Sequence, residues 1–488
     1  MNANQLKKLL KFHRSFGMVL GILILMWSLT GVLHPIMSAT QPQPVKRMPP
    51  PQQLNLTNAL PAPLVLQQHK IEEFSGLQTI QLQPELVAYR VLQPNQNIAE
   101  YFDSRSGQLI TDGEQQDAKR LAIWYTGLAK QQIVSTELIT EFSDDYPSVN
   151  RLLPVWRVSF ENGLRAYVDP SQSRLATLSN DQKMWMAKIF RLGHTWTWGD
   201  QPWTGQNILM QIALIGILVL TCMGIGLFSS IRNRQNHRLA HKPIRFLHRY
   251  LGINLSIFIL LWVFSGFYHV WHKKSEIVNI QPMFYTQDLS AAAWKTAVQQ
   301  PIQRLNLVPI SFAQDHAQAG WMVQLTAKPQ LKGSMTAAKE HDHHNHAKNA
   351  APAIELIDAN TATKLNTLEQ SKQLAADYLH LPVDHFTQSS WVTSFSGEYG
   401  FINKRLPVVK VESNLSDQLR LYIEPSSGVI AAQVTQQDAL EGFSFAYLHK
   451  WTWLPLDKTL RDILLASIAG LIALLVILGC TLAARKSS

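Results

Sequence analysis

The stretch "FHRSFGMVLGILILMWSLTGVLH" (Phe12–His34) aligns without a gap with "LHRYLGINLSIFILLWVFSGFYH" (Leu247–His269). Each carries His-Arg near its start and ends on a histidine 21 residues after the first, so His13 pairs with His34 and His248 with His269. In a helix, 21 residues rise about 31 Å, one thickness of membrane hydrocarbon. They also make slightly under six turns, so both histidines of a stretch point to nearly the same face.

The surrounding composition makes these stretches membrane spans. No Asp, Glu, Lys or Arg occurs over 15–45, 201–231, 250–272 or 463–484. Each window holds about 20 apolar residues, enough to cross the bilayer as a helix with its backbone groups internally satisfied. The expected layout is spans at 15–38, 204–230, 247–271 and 459–484. An N-terminal segment 1–14, a basic loop 231–246 and a tail 485–488 lie on one side; segments 39–203 and 272–458 lie on the other. Lys7, Lys8, Lys11 and Arg14 precede the first span; Arg232, Arg234, Arg238, Lys242, Arg245 and Arg249 fall between the second and the start of the third; Arg485 and Lys486 follow the fourth. This excess of basic residues assigns that side to the cytoplasm. The net charge of +10 therefore reads as a topology signal and gives no reason to expect a nucleic-acid partner. The first span is read as a span rather than a cleaved signal peptide, because its run is long for one and its near-copy lies deep in the chain. The cysteines are Cys222 and Cys480, both in expected spans; they form no disulfide framework and no covalent haem-attachment motif.

The chain reads as an internal duplication. "LGHTWTW" (192–198) answers "YLHKWTW" (447–453), and the stretch beginning "LPVWRVSF" at Leu153 answers "LPVVKVES" at Leu406. Each half is span, exterior domain, His-x-Trp-Thr-Trp, span. Two spans per half leave both halves in the same orientation, related by an axis along the membrane normal. The exterior regions read as α+β: "LRAYVDP" and "LRLYIEP" as strands ending in turns, "YFDSRSGQLI" and "YIEPSSGVIA" as hairpins, and 367–381 as an amphipathic helix. The fold class is thus a membrane protein with four transmembrane helices and two α+β exterior domains. Residues 41–53, rich in proline, form a linker.

Six histidines occupy repeated positions: His13 with His248, His34 with His269, and His194 with His449. If the histidine face of the spans looks at the axis, His13 and His248 converge at the cytoplasmic end and His34 and His269 at the exterior end. Two imidazoles converging from facing helices supply the two axial positions of a haem iron. Pairing of His34 and His269 with each other, or with His194 and His449, stays open. Zinc would need three or four clustered ligands, where the spans supply pairs. Arg14 and Arg249 read either as membrane anchors or as partners of haem propionates. Gly17, Gly31, Gly252 and Gly266 read as close-packing positions. Trp196, Trp198, Trp451 and Trp453 read as an interfacial aromatic belt. The tract "HDHHNHAK" offers His341, His343, His344 and His346 as a further candidate metal site, on composition alone.

Together the two "HR…SLTG/FSG" spans, the "HxWTW" segments and the "YVDPSQSRLATLS" and "YIEPSSGVIAA" strands resemble the PepSY-associated transmembrane family of bacterial inner-membrane proteins, over nearly the whole chain. In architecture the chain is most similar to the di-haem ferric-siderophore reductases of that family. The resemblance implies two haem b groups, electron transfer across the inner membrane, and reduction of ferric siderophores outside. The sequence carries no Gly-rich dinucleotide fingerprint, so the expected electron donor is quinol or a separate cytoplasmic reductase. Two other classes are weighed. A siderophore or metal permease would show midplane polar residues and broken helices; these spans hold few charged groups. A membrane-anchored PepSY regulator without redox activity would leave the repeated histidines unexplained.

Overall fold

The charge-free windows fold as long helices in a computed structural model that describes residues 3–198, 204–231, 243–272, 279–313, 316–326 and 352–484. The chain divides into two units, one of residues 1–41, 181–274 and 437–488, the other of 42–180 and 275–436.

The helices of the first unit are α1 (Ala3–Thr40), α2 (Asp181–Phe190), α3 (Thr204–Ile231), α4 (Pro243–Trp271), α5 (Gln436–Ser444) and α6 (Lys458–Ala484). Among the described residues α1, α3, α4 and α6 are long and apolar enough to cross a membrane. At 38 residues α1 is about 57 Å long, well beyond the bilayer core. It starts ahead of the apolar window because "NQLKKLLK" is composed largely of good helix formers. Pro35 lies inside it, directly after His34. Helices α1 and α4 each pack against both α3 and α6, so α1 and α4 face each other diagonally across a four-helix bundle. Small residues bring the helices together: a Cβ on Gly21 would stand 3.1 Å from Val476, and one on Gly216 3.1 Å from Leu20. In lipid such packing substitutes for the hydrophobic effect.

Helices α2 and α5 precede α3 and α6 in the chain and end alike. Each passes into a π-helical turn, Arg191–Thr195 and Phe445–His449. Shortly after each turn comes a tryptophan with left-handed backbone, Trp196 at φ 53° and Trp451 at φ 49°. A bulky residue rarely adopts that conformation, and π turns concentrate at functional sites.

The second unit is built on an antiparallel eight-stranded sheet in the order 364–365, 354–358, 316–325, 302–313, 76–83, 86–92, 100–103, 109–110. Its middle pairing, Leu305 opposite Thr79 and Leu307 opposite Leu77, joins strands from the two halves of the chain. The segments expected as separate exterior domains, 39–203 and 272–458, are therefore one body; pairing covers two strand edges that would otherwise be open. Residues 181–198 and 437–457 belong instead to the helical unit.

Two four-stranded meanders complete this unit, 133–139/155–160/165–169/174–179 and 386–392/408–413/420–423/430–434. The expected hairpins and "LRAYVDP" and "LRLYIEP" strands are among them or in the central sheet. A helix packs on each meander: Gly113–Thr126 on the first and Thr367–Leu379, close to the expected 367–381, on the second. The meanders match in detail. Tyr146 donates its hydroxyl to the Leu152 carbonyl and Tyr399 to that of Arg405, both at 2.8 Å. Tyr146 stacks on Tyr167 and Tyr399 on Tyr422. They differ at one buried charge. Glu424 accepts from Arg174 of the first meander and from Arg405 at 2.6 Å. Burial alone would push this carboxyl up, but the two guanidiniums hold it down at about 2.

Candidate functional site

The described histidines of the repeat gather at two levels of the bundle. At the first, His13 of α1 and His248 of α4 come within electrostatic range of each other. The ring of His13 lies against Gly224 of α3, where a Cβ would stand 3.3 Å from its Cε1. The ring of His248 lies against Gly479 of α6, where a Cβ would stand 3.0 Å away. A side chain at either position would have to displace its ring. His248 Nδ1 donates to the Leu475 carbonyl at 3.2 Å, which leaves Nε2 with its lone pair. His13 is set against the Leu220 carbonyl, the counterpart of Leu475 in the other half.

At the second level, one helical length away, His34, His194, His269 and His449 form a cluster. The rings of His194 and His449 stand 6.4 Å apart between centroids and are nearly perpendicular. Each is held by its π turn. Trp27 Nε1 donates to the His194 carbonyl and Trp262 Nε1 to the His449 carbonyl, both at 3.0 Å. Phe190 stacks on His194 and Phe445 on His449; the same phenylalanines touch His34 and His269. Thr30 spends its own proton on the Met26 carbonyl at 2.7 Å, so at 3.3 Å its oxygen accepts from His194 Nδ1. In the second half Ser265 takes the place of Thr30 and makes no such bond; its Oγ and His449 Nδ1 are both buried without partners. His269 Nδ1 donates to the Glu441 carboxylate.

Three of the six imidazoles thus spend Nδ1 on a protein acceptor and present Nε2 as a neutral ligand, as metal-bound histidines do. The set fits a haem better than a bare ion: among the described residues no group of three or more His, Cys, Asp or Glu converges on one metal position, whereas imidazoles from opposed helices supply axial pairs. The Nδ1 of His449 is a buried polar atom without a partner among the described residues.

Other expected residues behave differently. Arg14 donates to the Ala483 carbonyl at 2.6 Å, capping the end of α6, and the Arg249 guanidinium lies over the Phe228 ring. Both engage neighbouring helices. The tryptophan belt is only half present. Trp198 and Trp453 are exposed, but Trp196 and Trp451 are buried and stack on Trp27 and Trp262. The π turns rotate them inward, against the expectation from sequence. His341, His343, His344 and His346 lie outside the described residues. Sequence reasoning missed Gly224, Gly479, Trp27, Trp262 and Glu441. The first four were findable, because each glycine and each tryptophan recurs in the other half at the spacing of its neighbouring histidine.

In the β unit a polar cleft of about 820 Å³ opens on the second meander. Lys410, Arg420 and Glu398 form ion pairs there, and Tyr422 donates to Glu398 at 2.6 Å. The turn 413–418 walls it; the first meander has a shorter turn at that place.

A family model described as the PepSY-associated TM region matches residues 10–351, more than half of the chain. No curated protein matches it. The match takes in His13, His34, His194, His248 and His269. With its apolar helices and β sheets, the chain is a multi-pass membrane protein of the PepSY-associated TM region family.

Proposed function

We propose that this protein is a haem b electron-transfer protein that reduces the ferric iron of siderophore chelates outside a bacterial inner membrane, releasing Fe(II). The observation that carries the reading is the juxtaposition of His13 and His248 from opposed helices, each ring backed by a glycine. In this reading His13 and His248 hold one haem, and the cluster of His34, His194, His269 and His449 holds a second. Bound haem supplies one-electron transfer between the ferric and ferrous states of its iron. The protein's part is to fix the rings, exclude water and set the two levels one bilayer thickness apart.

The basic residues around the first span and between the second and third place both termini in the cytoplasm in this reading. Electrons enter from quinol or a separate cytoplasmic reductase. Ferrous iron is a softer cation than ferric and binds the hard oxygen donors of a siderophore less well, so reduction releases it. The parallel geometry of the two π turns, the two meanders and the two glycine-backed histidines supports an origin by internal duplication.

The test is spectroscopic. Protein purified in detergent after haem-sufficient expression should show a b-type spectrum, with all haem extractable by acidic acetone. Reduced protein in sealed vesicles should be reoxidised faster by a ferric chelate on the exterior face than on the cytoplasmic face. A colourless protein sinks the haem reading, and equal rates from both faces sink the transmembrane direction.

A further inference from the structure

Glu441 is a buried carboxylate at the four-histidine cluster that the proposed function leaves without a task. It lies on α5, is 4% exposed, and accepts from His269 Nδ1. One helical turn away, His272 Nε2 bonds Asp438 at 2.8 Å. Two successive His–carboxylate bonds therefore clamp the end of α4 to α5. Among the described residues the first half has no such His–carboxylate hydrogen bond; Asp462 acts on His34 only at longer range. At the places of Glu441, Asp438 and His272 the first half carries Met186, Lys183 and Met37. Yet the backbone scaffold is the same: Phe190 and Phe445 meet His34 and His269 alike.

A carboxylate on the far nitrogen of a ligating imidazole fixes the ring's orientation and tautomer and raises its basicity. A more basic axial ligand favours ferric over ferrous haem and so lowers the reduction potential. We propose that Glu441 is a positioning residue for His269, turning Nε2 toward the ligand position and making the His269 side of the cluster a stronger donor than the His34 side. The inference rests on the haem reading above. It makes the two halves unequal in chemistry where they are equal in shape, so that the haem at this level carries a lower potential than the same site would without the carboxylate.

Potentiometric titration of the full-length haem protein, followed in the visible spectrum, tests it. Glu441→Gln should shift the midpoint of one haem upward and leave the other in place. Glu441→Asp, which keeps the carboxylate, should move that midpoint back toward the wild-type value. Asp438→Asn removes the neighbouring carboxylate charge and should lower thermal stability without moving either potential. In haem-depleted protein, the ¹⁵N shifts of His269 should report a proton on Nδ1 in the wild type and lose that preference in Glu441→Gln. Unchanged midpoints in Glu441→Gln overturn the proposal, as does a midpoint shift of the same size in Asp438→Asn. Should Glu441→Gln shed the haem, Glu441→Asp decides: retention supports the positioning role, and loss from a normally melting protein assigns Glu441 to packing. Absence of haem from the wild type defeats the earlier reading instead, and the nitrogen shifts still judge this one.

Discussion

At the His13 end of the bundle the two halves contribute the same parts, an imidazole from α1 or α4 and a glycine behind it from α3 or α6. At the His34 end they contribute the same scaffold but different chemistry. There the first half has Thr30 bonded to His194, and the second has a carboxylate on His269 and two buried polar atoms without partners. The β unit repeats the lesson. Its meanders share strands and tyrosines, but Asp169 bonds the Ser171 amide and hydroxyl of its own turn, while Glu424 draws an arginine from the other meander. Shape is set by backbone register and close packing, which the two halves share. Charge placement differs between them within the same shape.

The sharpest way to break this comparison is at its symmetric end. His13→Ala and His248→Ala should each abolish the same low-spin haem signal, read by absorption and electron paramagnetic resonance. If the two substitutions remove different haems, the pairing across α1 and α4 is wrong.

Next in size is the buried charge. Glu424→Gln leaves Arg174 and Arg405 facing a neutral group and should cost about 3–5 kcal/mol in the β unit. Asp169→Asn, in the matching turn, should cost only about 1 kcal/mol. Thermal melts followed by circular dichroism would compare them. The pH dependence has a definite sign. The Glu424 carboxyl titrates at about 2 in the fold, below its ordinary 4.5. Its stabilisation is therefore complete above pH 4.5 and is lost as the pH falls toward 2. A melting temperature that holds constant over that window in the wild type, or falls equally in Glu424→Gln, would refute the assignment.

A smaller effect separates the two glycines. The Cβ of alanine would meet His248 at 3.0 Å but His13 at 3.3 Å. Gly479→Ala should therefore reduce haem occupancy more than Gly224→Ala, measured as haem per protein after purification. Equal occupancies would show that both rings yield freely. Smallest of all, deletion of 341–346, which has no counterpart in the first half, should leave haem content and ferric-chelate reoxidation unchanged. A loss of either would make the His-rich tract part of the site.

The sequence by itself determined the apolar spans, the repeated histidines and their spacing, the strands at 164–169 and 419–424 and a helix over 367–381, which the fold forms as Thr367–Leu379. These follow from composition and period, which act locally along the chain. Tertiary structure alone decided which elements meet. The strand Gly76–Gln83 pairs with Ile302–Ala313 across more than 200 residues, and no local pattern names a partner for an open edge. Likewise the π turns bury Trp196 and Trp451 rather than leaving them in the interface, because their backbone rotates the rings onto Trp27 and Trp262. Arg14 was legible as a cation near a membrane surface, but its role as the cap of α6 depends on where a helix more than 450 residues away ends. Glu441 was invisible for the same reason. An acidic residue in a short amphipathic helix reads as solvent-facing until the fold sets it against His269.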